Sequence, residues 1–338
     1  MTSSVAVLGA GAWGTAVAVH LARRGDHDVA LWMRDAGQAR AIAERRCNEA
    51  YLPGFALPAT LAVTSDLAVA AAAKLLIVAS PMAALPEIAD GLAAAGARAP
   101  LVWLSKGLLR VPASAALPAG VGLAHQVLAP RWPAPVGIIS GPSFAEEVAR
   151  GLPTAVAVAA TDPALAEEVA ALLRFGTFRA YVSADIAGVE VGGAVKNVLA
   201  IAAGASDGFA FGYNARAALI TRGLAETGRL SAALGGRRDT LMGLAGLGDI
   251  VLTCTGDLSR NRRVGLGLAR GESLSSILAT LGHVAEGVGT AANVHALAIY
   301  HGVDMPICKG VYRVLYEGQS PREAVEALLA REPRPEGT

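Results

Sequence analysis

Val5-Ala6-Val7-Leu8-Gly9-Ala10-Gly11-Ala12-Trp13-Gly14 is the stretch on which the fold turns. A short apolar run ends in G-x-G-x-x-G, and helical spacing follows over residues 13–24 until Gly25 stops it. The pattern is weak alone. Directly after a strand and opening a helix, it is a dinucleotide-binding fingerprint. Gly9 permits the tight turn, Gly11 lets the backbone approach a pyrophosphate, and Gly14 lets the helix pack closely on the strand. The helix start adds free N–H groups and a positive dipole end. NADP(H) and/or NAD(H) is the expected cofactor; a glycine-rich turn without a ligand is the bland alternative.

A second apolar run covers 28–32, and a charged helix is expected over 36–46. The run ends Trp32-Met33-Arg34-Asp35. An acid at this point would bond a ribose 2′-hydroxyl and an Arg would hold a 2′-phosphate. Arg34 comes first, so the reading leans to NADP(H) with NAD(H) use open. Both side chains could equally be solvated at a strand end.

Apolar runs at 74–79, 101–104 and 136–139 each lead into a Gly, Pro or Ser cluster. Strands alternating with helices predict a parallel sheet with crossover helices, and runs this continuous predict burial on both faces. Residues 153–159, 163–173 and 178–181 read as one more strand–helix–strand unit. Past residue 185 strand signals cease, and helical spacing is expected over 186–205, 215–234, 262–269, 274–281, 290–301 and 322–330. The expectation is an α/β chain: a Rossmann-like dinucleotide-binding domain over 1–185 and an all-α substrate-binding, catalytic domain over 186–338.

Composition narrows the function classes. The chain has 338 residues, 53% hydrophobic and 17% charged, against about 25% charged in an average soluble domain. Lys+Arg 29 against Asp+Glu 28 leaves no basic surplus for nucleic acid. Mean hydropathy of +0.45 reflects Ala and Val; no uninterrupted apolar run reaches the length of about 18 residues that a spanning helix needs. The start lacks the basic region of a signal peptide. Cys47, Cys254 and Cys308 lie far apart without metal spacing, and a disulfide framework is not expected. The reading is a reduced, cytoplasmic protein with no metal site, no nucleic-acid partner and no membrane insertion. So apolar a composition is compatible with a homodimer. His20, His27, His125, His283, His295 and His301 are scattered without ligand spacing.

Lys196 stands in residues 189–203 with Glu190 as the only other charge. A lysine in so apolar a helix reaches a pocket, gives up its proton, or lays its stem on apolar surface with its head in water. Burial would bring its pKa towards the acid–base range. Asn197 beside it could fix a substrate or backbone group. Ser259-Arg260-Asn261-Arg262-Arg263, after an expected turn at 253–256, is the densest basic cluster. It suits a phosphate dianion or is an ordinary basic helix start. Asp249 could orient Lys196, accept a substrate hydroxyl, or cap a helix. Lys106 follows the run at 101–104, at the strand end where open parallel sheets bind ligands. Gly141-Pro142-Ser143-Phe144-Ala145 likewise offers backbone N–H groups to an anion, or a plain turn and cap. Trp13 packs on the cofactor or in the core.

These segments together resemble the bacterial NAD(P)-dependent glycerol-3-phosphate dehydrogenase family. The resemblance runs almost end to end: residues 9–15, 47–53, Ser105-Lys106-Gly107, 140–145, Gly192-Gly193-Ala194-Val195-Lys196-Asn197, 214–226, 244–249, 252–255, 259–263 and Glu286-Gly287. It implies that Lys196 is the general acid/base, protonating the carbonyl oxygen of dihydroxyacetone phosphate as hydride arrives from the nicotinamide. It places Lys106, Gly141, Ser143, Lys196, Asp249, Ser259, Arg260 and Asn261 around the substrate. Around the cofactor it places Ala12, Trp13, Arg34, Lys106, Ala145, Arg260, Val284 and Glu286, beside Gly9, Gly11 and Gly14. It implies sn-glycerol 3-phosphate as product, for glycerophospholipid synthesis.

There are departures. Ala12 stands where the family commonly has Ser, Ser80-Pro81 replaces the more usual Pro and small residue, and residues 108–134 are Pro/Ala-rich and do not match. Two rival readings remain. A β-hydroxyacid dehydrogenase would need a carboxylate site rather than a phosphate site. A non-catalytic NAD(P)H sensor would have no use for a buried proton donor.

Overall fold

A computed structural model of the chain describes residues 3–282 and 284–331; His283 and the polar tail after Arg331 lie outside them. The strands in chain order are β1 (Ser3–Leu8), β2 (His27–Trp32), β3 (Cys47–Asn48), β4 (Leu52–Ala56), β5 (Ala62–Thr64), β6 (Leu75–Val78), β7 (Leu101–Trp103), β8 (Leu109–Arg110), β9 (Val121–Gly122), β10 (Val136–Ser140), β11 (Thr154–Ala160) and β12 (Phe178–Ser183). The helices of this half are α1 (Ala12–Arg24), α2 (Ala36–Arg45), α3 (Leu67–Ala71), α4 (Leu85–Ala94), α5 (Ala124–Leu128), α6 (Ala145–Arg150) and α7 (Pro163–Leu173).

Eight strands form one sheet in the order β12-β11-β10-β7-β6-β1-β2-β5. Side chains alternate across it. Val5 and Val7 of β1 join the core under α1, α2 and α7, while Ala6 and Leu8 join the one under α3, α4 and α5. Burial on both faces is why these strands read as unbroken apolar runs.

The sheet departs from the expected all-parallel form at one place: β10 and β11 pair antiparallel. The link from Ser140 to Thr154 holds only the 6-residue α6, about 9 Å long against about 16 Å for a 5-residue strand. The chain reverses over this link. β12 then returns parallel to β11. The β3–β4 and β8–β9 hairpins were not expected: β3, β8 and β9 have two residues each, and β4 carries Pro53 and Gly54.

After β12, no strand occurs among the described residues. The helices are α8 (Ile186–Gly208), α9 (Gly212–Ala233), α10 (Asp249–Thr255), α11 (Arg260–Ala269), α12 (Leu274–Leu281), α13 (Glu286–Tyr300), α14 (Pro306–Tyr316) and α15 (Pro321–Leu329). Two corrections arise here. The expected turn at 253–256 is the end of α10, and α14 was not foreseen. α8 is the axle of this half. It is long and apolar enough to cross a membrane, but 89% of its apolar window is buried inside the protein. α11 crosses it backbone to backbone: a Cβ on Gly204 would stand 2.0 Å from the Arg262 carbonyl oxygen, and one on Gly265 1.9 Å from that of Ile201. Only glycine permits that approach.

Candidate active site

The glycine turn is built for close approach on two sides and left open on the third. A Cβ on Gly14 would lie 2.0 Å from the Gly9 oxygen, so Gly14 is what lets α1 press on the turn. Gly9 has φ +115° and a Cβ there would meet Ala79 at 2.9 Å. A Cβ on Gly11 would meet nothing within 4 Å, because Gly11 faces a cleft. Gly11 caps α1 without any side-chain hydrogen bond, so the first N–H groups of the helix are left for an anion. The indole N–H of Trp13 is buried without a partner among the described residues. An open glycine, an uncapped helix start and an unsatisfied indole N–H fit a pyrophosphate dinucleotide.

Asn48, whose role sequence reasoning missed, holds this turn from behind. Its Nδ2 donates to the Ala10 carbonyl and to Thr15 Oγ1, both at 2.8 Å. At the end of β2, Asp35 is committed locally: its Oδ1 accepts the Gln38 N–H at 2.7 Å and caps α2. Arg34 is 86% exposed and lies 4.0 Å from Glu87 at the cleft edge.

The cleft has a volume of about 1590 Å³. Gly9, Gly11, Ala12, Trp13, Arg34, Ala145, Val284 and Glu286 line it, as do Lys106, Ser143, Lys196, Ser259, Arg260 and Asn261. The structure therefore brings both predicted sets into one space. Gly14, Gly141 and Asp249 stand behind that lining and act on its members.

At the floor, Asp249 at the start of α10 is 1% exposed and bridges two ammonium groups. Its Oδ1 is 2.5 Å from Lys196 Nζ and its Oδ2 is 2.5 Å from Lys106 Nζ. Lys196 also donates to Thr253 Oγ1 at 3.0 Å, and that hydroxyl donates to the Asp249 carbonyl at 2.7 Å, one turn back. Thr253, masked by the expected turn, was not predicted. Lys106 donates to the Gly141 carbonyl at 2.9 Å, which also accepts from Ser143 Oγ.

Burial lowers the pKa of Lys196 from 10.5 to about 8, against the pull of Asp249 and with help from Lys106. Burial alone would raise Asp249; Lys106 and Lys196 overcome it and hold the carboxylate below its usual range. An ammonium poised near neutrality, fixed by a carboxylate that stays ionised, can give and take a proton.

A chain of amides ties the lysines together. Asn197 Nδ2 donates to the Lys106 carbonyl at 3.3 Å, Asn261 Nδ2 to Asn197 Oδ1 at 2.9 Å, and the Gly287 N–H to Asn261 Oδ1 at 3.0 Å. Ser259 caps α11 by accepting the Arg262 N–H, and its hydroxyl hydrogen is still free to donate. Arg260, exposed in the cleft, has no hydrogen bond or ion pair among the described residues. Arg262 is turned away onto Asp207 and Asp257. Glu286 is half-buried in the cleft wall and accepts the Met82 N–H at 3.1 Å; desolvation raises its carboxyl.

Family models of the N-terminus and C-terminus of NAD-dependent glycerol-3-phosphate dehydrogenase match residues 4–166 and 185–326. The glycerol-3-phosphate dehydrogenase [NAD(P)+] of Aromatoleum aromaticum is 55% identical over 98% of this chain and 99% of its own length. The same-named protein of Dechloromonas aromatica is 52% identical over 98% and 99%. Among solved structures, glycerol-3-phosphate dehydrogenase from Coxiella burnetii superposes with a TM-score of 0.91 at 41% identity, over 98% of this chain and 99% of that one.

Proposed function

The chain belongs to the NAD-dependent glycerol-3-phosphate dehydrogenase family, and on that premise we propose that it reduces dihydroxyacetone phosphate to sn-glycerol 3-phosphate, with Lys196 as general acid. It is an NAD(P)-dependent oxidoreductase, and the reaction is reversible. The single observation that carries the assignment of the acid is the buried Lys196–Asp249 pair at the floor of the cleft.

When bound, the dinucleotide supplies the hydride to the substrate's carbonyl carbon. The chain's own residues do the rest. The glycine turn, α1 and Trp13 hold the pyrophosphate side, and Arg34 takes a 2′-phosphate. Arg260, with donors from Ser259 and Asn261, grips the substrate phosphate by charge-assisted hydrogen bonds. Lys196 Nζ delivers a proton to the carbonyl oxygen as negative charge builds there. Asp249 and Thr253 keep that Nζ aimed, and Lys106 adds a second positive charge beside the oxygen. In the reverse direction neutral Lys196 accepts the hydroxyl proton.

We further assign residues 1–185 to cofactor binding and 186–338 to substrate binding and catalysis, in a homodimer of the cytoplasm. The product is a backbone for glycerophospholipid synthesis. The test is NADPH and NADH oxidation with dihydroxyacetone phosphate, set against 3-keto acids. Turnover confined to the phosphorylated ketone is expected; turnover on the acids alone, or on neither, overturns the reading.

A further inference from the structure

Residues 108–134, which sequence reasoning could not place, run between the two cores. Leu108, Val121 and Leu123 pack with Val191, Val195 and Val198 of α8, while Leu109, Ala124 and Leu128 pack under the sheet. The segment leaves the cleft at Lys106, runs through the β8–β9 hairpin, and returns to α8 at His125. There Glu190, 1% exposed, accepts the His125 backbone N–H at 3.1 Å on Oε1 and contacts the ring Nδ1 with Oε2. Asn197 grips the same strap at the Lys106 carbonyl. α8 thus holds both ends of the strap, at residues 190 and 197, on either side of Lys196.

We propose that the His125–Glu190 contact is a latch that positions Lys106 on Asp249, and through it Lys196, by closing the strap of residues 106–125 onto α8. Both are positioning residues, since neither lines the cleft. Asn293 Nδ2 donates to the Leu108 carbonyl at 3.1 Å, so the strap is also held close to its Lys106 end, and opening the latch frees the far end and shifts Lys106 slightly without unseating it. A buried carboxylate bonded twice to one residue is a costly feature. Its position six residues, or about 9 Å, before Lys196 on the same helix gives that cost a use.

The inference rests on the dehydrogenase reading, and the two fail differently. No turnover in the wild type sinks the reading; wild-type turnover with an indifferent latch sinks the inference. The variants are Glu190→Ala and the milder His125→Gln, which keeps the backbone N–H bond and removes the ring. Expected is a fall in kcat of about tenfold, the cost of a small misplacement at the reacting groups, with the Kd for NADPH unchanged.

A second readout separates positioning from mere folding. Lys196 is faced by Asp249 on α10, by Lys106, and electrostatically by Glu286 on α13. Lys106 helps hold its pKa at about 8, so a displaced Lys106 moves the alkaline limb of the reduction profile upward. Glu190→Gln, which retains an acceptor for the N–H and a donor for the ring, should recover most of the loss. An unmoved limb with kcat within twofold of wild type in either variant overturns the latch. So does a lowered Tm with unchanged kcat per folded enzyme.

Discussion

Asp249 Oδ1 lies 2.5 Å from Lys196 Nζ, although 53 residues separate the two and both side chains are buried. Lys196→Ala removes the proton donor and should cut kcat by about 10²–10⁴, with the Kd for NADPH, measured by fluorescence titration, unchanged. Turnover near wild type would end the assignment.

The pH dependence has opposite signs in the two directions. Reduction uses protonated Lys196, so its kcat/KM should fall as pH rises through about 8. Oxidation of glycerol 3-phosphate uses the neutral amine and should gain activity over the same range. Parallel profiles for the two directions would show that another group titrates.

Asp249→Asn removes the charge that favours the ammonium form against burial. The pKa of Lys196 should then drop below about 8, and the limb of the reduction profile should move to lower pH. A move to higher pH would contradict the pairing.

Arg260→Lys keeps the charge and loses the fork. The KM for dihydroxyacetone phosphate should rise by about tenfold or more, with a smaller change in kcat. An unaltered KM would place the substrate phosphate elsewhere.

Asn48→Ala leaves the Ala10 carbonyl and the Thr15 hydroxyl without their 2.8 Å donor. A stability loss of about 1–3 kcal/mol in urea unfolding is expected, together with weaker NADPH binding. Wild-type values for both would show that the glycine turn stands unaided.

Arg34→Ala should weaken NADPH by about tenfold while leaving NADH nearly unchanged, since a guanidinium on a 2′-phosphate is the difference between them. Equal losses for both cofactors would assign Arg34 to the pyrophosphate or to structure.

What was legible in the sequence was what backbone chemistry or misplaced charge makes conspicuous. Gly9 is demanded by a turn and Gly14 by the close approach of α1, and Lys196 stands out in an apolar helix. What was hidden depends on contacts made after the chain has folded. Lys106 and Asp249 meet across 143 residues, and no local pattern pairs them. The reversal of β11 leaves no mark on apolar periodicity, because a strand buried on both faces reads as the same unbroken run in either direction. Thr253 is hidden in the sequence because Gly256 just beyond it suits a turn as well as the end of a helix. α14 begins at Pro306, whose fixed φ suits a first helical position and marks that helix in the sequence.

Asp35 has a further consequence. Oδ1 of Asp35 is occupied in starting α2, while Arg34 is 86% exposed and lies 4.0 Å from Glu87. If Arg34 holds the 2′-phosphate as proposed, the choice between the two cofactors hangs on one surface side chain. A substitution at position 34 would then move the enzyme between the anabolic and catabolic nucleotide pools while leaving the scaffold intact.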